Sequence, residues 1–254
     1  MIIERVYELA LPALAGKKIK EARIGLSLMA VELDNGSIGV TYVLRNEVKD
    51  ACTALPNAGK IAGMPAEEAA KWALQGRSVI ASALGLAVLN AVADFDQLTQ
   101  DEQADDSDAV FSVNVLPEDT VGVIGHIGPV ISRLRGKVKK IMVFERGETL
   151  SDGEYPESLQ NELLPECQLV FVTSATMING TLENLLNHCA NARDVVMVGS
   201  STPLYPQAFR ETKVSVLAGT RWLPSNRDAI FEGISQCAGM KQMIRYGEKI
   251  SIRV

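Results

Sequence analysis

From residue 120 onward, short apolar runs alternate with amphipathic windows, and this alternation constrains the fold more than any other feature. The runs 120–124, 139–144, 169–172, 195–198 and 214–218 have the length of strands, and the windows between them have helical spacing. Parallel strands need crossover connections, which helices supply, so the pattern predicts a parallel sheet covered on both faces. We therefore expect a Rossmann-like doubly wound α/β domain over residues 111–254, with a helix at 225–237 and an edge strand at 250–254.

The first half has a different pattern. A helical window over residues 2–10 is followed by Pro12 and Gly16, which predict its end. Apolar runs at 22–33 and 37–44 flank Asn35-Gly36, a strong hairpin signal. Windows at 65–74 and 78–92 favour helices. Residues 1–94 are thus predicted to form an α+β domain.

An acidic segment separates the two halves. Residues 94–108 contain seven Asp or Glu in fifteen positions and few large apolar side chains. We interpret 95–110 as an exposed connector. A cation-binding cluster is the alternative, although the glycine and terminal glutamate of a calcium loop are missing.

Composition limits the classes of partner. The formal net charge is -6, so the phosphate backbone of a nucleic acid would be repelled on average. The most apolar window, 78–92, is fifteen residues long, too short to span a bilayer. Four scattered cysteines and a start without signal-peptide features favour a cytoplasmic protein. The sequence leaves open whether the protein forms a homo-oligomer.

A glycine-rich turn follows the strand at 120–124. It comprises Gly122, Gly125, His126, Ile127, Gly128 and Pro129. Glycines allow a tight turn and close approach of a ligand to backbone amides, and Pro129 suits the first turn of a helix. The turn therefore predicts an anion-binding site, with a ligand-free packing turn as the alternative. His126 could contact a ligand or a metal, or simply point into solvent.

The next strand end carries Glu145 and Arg146. Glu145 lies twenty-three residues after Gly122, close to the offset at which nucleotide-binding folds place an acid that binds ribose hydroxyls. This spacing fits adenosyl cofactors of both the NAD and S-adenosylmethionine kinds. An ion pair between Glu145 and Arg146 is the structural alternative.

Two later strand ends are rich in hydroxyl groups. The first, at 173–181, contains Thr173, Ser174 and Asn179, and the second, at 199–206, contains Ser200 and Thr202. Helix capping would explain one or two of these side chains. Because ligands bind at the carboxyl ends of parallel strands, we predict that all five form the polar wall of a pocket.

These stretches resemble a family of bacterial and archaeal proteins that is named for heavy-metal chelation and was long classed as a domain of unknown function. The resemblance rests on residues 122–129, 144–146, 173–181 and 199–206, together with 82–90 in the first half. It implies a domain similar to the enolase N-terminal fold followed by a Rossmann-like domain distantly similar to methyltransferases, with the site in the cleft between them. Asn90 would then face the cleft, with a packed, satisfied amide as the alternative.

The functional prediction combines these observations. Two histidines and four separated cysteines form no cluster that would hold a free transition metal tightly. The leading hypothesis is a protein that binds or processes a small anionic chelator, such as a pterin, flavin or siderophore-like compound, in an interdomain cleft, by condensation or hydrolysis if it is an enzyme. A non-catalytic metal or metal-complex delivery protein is the alternative, and an S-adenosylmethionine-dependent methyltransferase-like enzyme is a third hypothesis.

The chemistry of such a site is left open by the sequence. Glu145 and His126 are the candidate general bases, and neither shows a partner within its own motif. The candidate cofactors are S-adenosylmethionine, another adenosyl or pterin-like ligand, and a transition metal.

Overall fold

A computed structural model of the protein describes residues 1–49, 54–55, 57–76, 78–98, 112–147 and 150–254. Its first half contains a three-stranded antiparallel sheet in the order β1-β2-β3, formed by β1 (Ile19–Ile24), β2 (Leu28–Leu33) and β3 (Ile38–Tyr42). The predicted hairpin is confirmed between β2 and β3, with Gly36 at a φ of +85°. The predicted continuous strand at 22–33 is wrong, because a turn at Gly25 breaks it and the Gly25 N–H donates to the Leu28 carbonyl (2.9 Å).

In the described residues, four helices accompany this sheet. They are α1 (Ile2–Leu14), α2 (Ala66–Ala70), α3 (Trp72–Gln75) and α4 (Val79–Ala91). The helix α1 continues beyond the helical window 2–10 and includes Pro12 in its last turn. The backbone hydrogen bond that Pro12 cannot donate would go to the carbonyl of Glu8, which is exposed, so the helix tolerates the proline there. The helix α4 is capped by Ser78, whose Oγ accepts the Ala81 N–H (3.1 Å), and nearly all of its residues are buried, as expected.

The second half contains a seven-stranded sheet in the order β10-β9-β8-β7-β4-β5-β6. Its strands are β4 (Thr120–Ile124), β5 (Lys140–Glu145), β6 (Glu154–Pro156), β7 (Leu169–Thr173), β8 (Asp194–Val198), β9 (Val214–Trp222) and β10 (Gly247–Arg253). All neighbours are parallel except β9 and β10, so the predicted fold class is confirmed. The short β6, which ends in a proline, was not predicted. The chain order reverses at β4, with β5 on one side and β7 on the other, and such a switch point opens a crevice at the carboxyl ends of the strands.

The helices of this half are short. They are α5 (Gly128–Leu134), α6 (Gln160–Leu163), α7 (Ala175–Ile178), α8 (Leu182–Asn187), α9 (Pro206–Phe209), α10 (Arg227–Ser235) and α11 (Met240–Met243). Val130 and Leu134 of α5 pack on one face of the sheet. Leu182 and Leu185 of α8, Phe209 of α9 and residues of α4 share a core on the other face. None of the helices in the described residues is long and apolar enough to cross a membrane.

The helix α10 joins the two halves. We expected it to cover the parallel sheet, and this prediction is wrong, because Phe231 and Ile234 pack against the first sheet beside Leu28. Arg227 of the same helix bonds the nearly buried carboxylate of Glu32 (Nε to Oε2, 2.9 Å). The first sheet is therefore enclosed between α4 on one side and α10 on the other, and the two halves interlock.

Candidate functional site

A cavity of about 300 Å³ lies where the two halves meet, and we call it the cleft. One wall is the segment 42–47, which follows β3 and ends in a short 3₁₀ turn (Arg45–Glu47). The facing wall is built from the carboxyl ends of β4, β5 and β7 and includes Gly125, Phe144 and Thr173. The cleft thus opens at the position where a doubly wound sheet is expected to bind its ligand.

Arg146 is the central charged group of the cleft. Its Nη1 donates to Glu47 Oε1 (2.8 Å), and its Nη2 donates to Glu157 Oε1 (2.5 Å). Burial acts to lower the pKa of Arg146, but the hydrogen bonds to Glu157 and Glu47 outweigh it, and the pKa is raised. Arg146 therefore remains a cation that is shared between a carboxylate of the first half and one of the second.

Glu47 is the functional candidate that the sequence did not reveal. Besides Arg146, it accepts hydrogen bonds from Asn179 Nδ2 at both carboxylate oxygens (3.1 and 3.3 Å). Asn179 Oδ1 in turn accepts the Thr181 hydroxyl (2.8 Å). Glu47 lies in no motif and comes from the 3₁₀ turn that follows β3 in the first half, so only the folded chain brings it to Arg146 and Asn179.

Glu145 lines the cleft as predicted, but its carboxylate closes the neighbouring turn. One oxygen accepts the His126 N–H (2.7 Å), and the other accepts the N–H of Arg146 (2.9 Å). The suggested pairing of the Glu145 and Arg146 side chains is replaced by this bond to the Arg146 backbone. A ribose hydroxyl would have to use the remaining lone pairs of these two oxygens.

The glycine turn is held together by its own backbone amides. The amides at 125–128 already donate within the protein: Gly125 to the Phe144 carbonyl (2.8 Å), His126 to Glu145, Ile127 to the Gly125 carbonyl (2.9 Å), and Gly128 to the His126 carbonyl (3.1 Å). Glu145 takes the place that an external anion would need. The turn, with Gly125 at a φ of +83°, is therefore a packed structural element at the edge of the cleft.

Gly122 and Pro129 have structural roles beside this turn. Gly122 lies inside β4, and a Cβ there would be 3.0 Å from Cys167 Sγ, so the glycine makes room for a buried neighbour. Pro129 occupies the first turn of α5, as predicted. The structure thus gives Gly122 a packing role, and its part in an anion-binding turn stays a prediction.

His126 has a partner that the sequence did not show. Its Nδ1 lies 2.7 Å from Glu154 Oε1, and the second oxygen of Glu154 accepts the Ser151 N–H (2.8 Å). The imidazole is 59% exposed, whereas the Glu154 side chain is 8% exposed. The hydrogen bond from His126, aided by that from Ser151, lowers the pKa of Glu154, which therefore stays ionised. Glu154 lies in the unpredicted strand β6, which explains why the pair was missed.

The predicted polar wall is only partly formed. Thr173 and Asn179 line the cleft, whereas Ser174, Ser200 and Thr202 are buried elsewhere. Thr202 Oγ1 donates to the Ala218 carbonyl (2.9 Å). These three side chains differ from the prediction because neighbouring structure covers them.

Asn90 is buried in α4 and does not line the cleft. Its Oδ1 has no hydrogen-bond partner among the described residues, so neither the predicted cleft position nor a fully satisfied amide is observed.

The described residues contain no cluster of three or more His, Cys, Asp or Glu side chains that could hold a metal ion. Burial raises the pKa of Cys167 to about 12 and that of Cys189 to about 11, so these thiols stay protonated and are poor metal ligands. The acidic cluster suggested as a cation site falls largely at 99–108, outside the described residues.

Solved structures share this architecture over the whole chain. A protein of unknown function from the DUF364 family of Pyrococcus horikoshii has a TM-score of 0.81 at 22% identity, with all of both chains covered. A DUF364 protein of unknown function from Desulfitobacterium hafniense has a TM-score of 0.75 at 23% identity, with 99% of both chains covered. At this identity the likeness establishes the fold.

Sequence comparison gives the family. An uncharacterized protein of Methanocaldococcus jannaschii is 26% identical over 155 residues, which are 60% of this chain and 59% of that protein. The chain thus spans about three fifths of the length of this curated relative. Residues 7–93 match the DUF4213 family and residues 108–253 match the DUF364 family, both described as "Putative heavy-metal chelation". The chain therefore belongs to the heavy-metal chelation family.

Proposed function

We propose that the protein binds a small metal-chelating metabolite in the cleft, and that Arg146 receives the anionic group of this ligand. The observation that carries the proposal is the position of Arg146, held between Glu47 and Glu157 in a cavity walled by both halves. A guanidinium presents paired donors that suit a carboxylate. An incoming ligand carboxylate would replace one of these glutamates.

The other charges in the cleft narrow the ligand class. Among the described residues that line the cavity, three are glutamates (Glu47, Glu145 and Glu157) and two are arginines (Arg45 and Arg146). Carboxylates accept hydrogen bonds and repel a uniformly anionic ligand such as a polyphosphate. The ligand that fits offers N–H donors to the glutamates and a single acidic group to Arg146.

Shape and apolar surface favour a planar heterocycle. Tyr42 lines the cleft with a ring that is 37% exposed, and it supplies aromatic surface there. A volume of about 300 Å³ lies at the lower end of the range for small-molecule sites. A pterin-like ring has N–H donors along one edge and can chelate a metal through adjacent nitrogen and oxygen atoms, so it matches better than a larger flavin or siderophore.

The lining favours binding over catalysis. No histidine, cysteine, serine or lysine occurs among the described residues that line the cleft. The carboxylates of Glu47 and Glu157 are both paired with Arg146. Condensation or hydrolysis would need a general base with access to the ligand. We therefore propose a binding or delivery role for the metabolite or its metal complex.

Calorimetric titration with pterin-6-carboxylate tests this function. We expect the wild-type protein to bind one equivalent, and Arg146→Ala to weaken binding by about 10- to 100-fold, because a charge-assisted hydrogen bond contributes about 1.5–3 kcal/mol. Arg146→Lys should recover only part of the loss, since lysine cannot make the paired contact. Arg245→Ala is the matched control, because Arg245 is an exposed arginine that does not line the cleft.

Two results would contradict the proposal. Absence of binding to pterin-6-carboxylate and to uncharged pterin would remove the proposed ligand class. Equal affinities in the wild type and Arg146→Ala would show that Arg146 does not receive the acidic group. Thermal unfolding of each variant controls for loss of the contact between the halves.

A further inference from the structure

We propose that His126 is a metal ligand, whose Nε2 binds a borderline divalent cation such as Cu²⁺ or Ni²⁺ while a chelator supplies the remaining donors. This inference rests on the proposed function, because the chelator in the cleft brings the metal to His126. Imidazole nitrogen is a preferred donor for these cations.

The first support is the way the ring is held. Nδ1 is 2.7 Å from Glu154 Oε1, and the largely buried carboxylate of Glu154 is itself fixed by the Ser151 N–H. The backbone of His126 is held by the hydrogen bond from its N–H to Glu145. An exposed histidine held at both its ring and its backbone has lost much of the rotational freedom that metal binding would otherwise remove.

The second support is the state of the ring nitrogens. A carboxylate at Nδ1 favours the tautomer that carries its proton there, which leaves the lone pair on Nε2. Metal-binding histidines in proteins commonly have such a carboxylate partner, which orients the ring and makes the free nitrogen a stronger donor. The ring is 59% exposed, so a metal complex has room to approach it.

The third support is location. Gly125, which precedes His126, and Glu145, which accepts the His126 N–H, both line the cleft. His126 does not itself line the cleft but adjoins these two residues, one through the chain and one through the hydrogen bond. Glu145 and Glu154 add negative charge around it, which favours a cation.

A single protein donor also agrees with the lack of a metal-binding cluster among the described residues. One imidazole holds a free cation weakly, whereas a chelated cation needs only one further ligand. The expected species is therefore a mixed complex of protein, metal and chelator.

The first experiment uses the copper(II) complex of iminodiacetate, which leaves coordination positions open for an imidazole. We expect the full chain to bind one equivalent at least tenfold more tightly than N-acetylhistidine amide does, with an additional nitrogen coupling in the electron paramagnetic resonance spectrum. His126→Ala should abolish both effects. His188→Ala, which removes the other histidine of the chain, should change neither.

Glu154→Gln separates a prepared ligand from an ordinary surface histidine. This variant keeps the size of the side chain but removes its charge, and we expect binding of the copper complex to weaken by about 10-fold or more. An affinity equal to that of N-acetylhistidine amide, or equal affinities in the wild type and Glu154→Gln, would overturn the proposal. Circular dichroism verifies that the variants are folded.

A second experiment distinguishes this inference from the proposed function. With Cu²⁺ present, pterin-6-carboxylate should bind the wild type at least tenfold more tightly than His126→Ala, and without metal the two should bind it equally. Metal-free binding with no difference in the presence of Cu²⁺ would overturn the role of His126 and leave the cleft proposal intact. No binding of the pterin in either condition, with copper iminodiacetate still bound through His126, would instead refute the cleft proposal.

Discussion

The loops that follow β7 and β8 look alike in sequence but face different surroundings. The β7 loop (173–181) and the β8 loop (199–206) both follow a parallel strand and are rich in hydroxyl groups. In the β7 loop, Thr173 and Asn179 line the cleft. In the β8 loop, Ser201 and Thr202 are buried and bonded to neighbouring backbone.

Their positions in the sheet explain this difference. β7 adjoins β4 at the switch point, where the crevice opens. β8 lies one strand further away, and the first half packs over its end: the Tyr205 hydroxyl donates to the Leu89 carbonyl (2.6 Å), and the Tyr42 N–H donates to Ser201 Oγ (2.8 Å). A polar strand end is therefore available to a ligand only where the other half leaves it uncovered.

The largest effect should come from Tyr205 of the β8 loop, compared with Tyr42 at the end of β3 beside the cleft. Tyr205→Ala removes a buried ring and its hydrogen bond to Leu89, so we expect the free energy of unfolding to fall by about 3–5 kcal/mol. Tyr42→Ala removes a ring that is 37% exposed beside the cleft, so it should cost less stability than Tyr205→Ala while weakening binding of the pterin probe. Urea denaturation and calorimetry measure the two quantities. Equal losses of stability would show that the end of β8 is covered no more firmly than the cleft wall at Tyr42.

A second, smaller effect is expected at the point where the two loops touch. Gly199 has a φ of +136°, and a Cβ there would lie 2.6 Å from Ser174 Oγ. Gly199→Ala should therefore destabilise the protein by about 1–3 kcal/mol through backbone strain, with crowding in addition. Gly128→Ala is the control, because a Cβ at Gly128 has no neighbour within 4 Å among the described residues, and we expect it to be neutral or slightly stabilising. A neutral Gly199→Ala would mean that the β8 loop can shift.

The sequence predicted the architecture better than the site. Alternating patterns placed β4 correctly and identified α4 as a buried helix, because strand and helix periodicity are local properties. Packing of α10 on the first sheet was missed, since an amphipathic pattern shows that a helix buries one face but not what it packs against.

The site depends on contacts that local patterns do not encode. Glu145 and Asn179 were predicted from their places after strands, whereas Glu47 and Glu154 come from a 3₁₀ turn and a three-residue strand without a motif. Ser200 and Thr202 satisfied the same positional rule as Thr173, but neighbouring structure buries them. Residue type and strand position thus predict where a ligand could bind, and the packing of the other half decides which side chains reach it.

The smallest effect should come from removing one hydroxyl group from each loop. This is also the most closely matched comparison of the two loops. Thr202→Val loses the bond from Thr202 Oγ1 to the Ala218 carbonyl, but that carbonyl still accepts the Gly199 N–H (3.0 Å), so we expect a cost of about 1 kcal/mol. Thr173→Val loses a long contact with the Ala175 N–H (3.4 Å) at the cleft and should cost less than about 0.5 kcal/mol. Urea midpoints resolve these values, and calorimetry should show weaker pterin binding for Thr173→Val alone. Weaker binding by Thr202→Val at unchanged stability would show that the β8 loop reaches the ligand and would remove the distinction between the two loops.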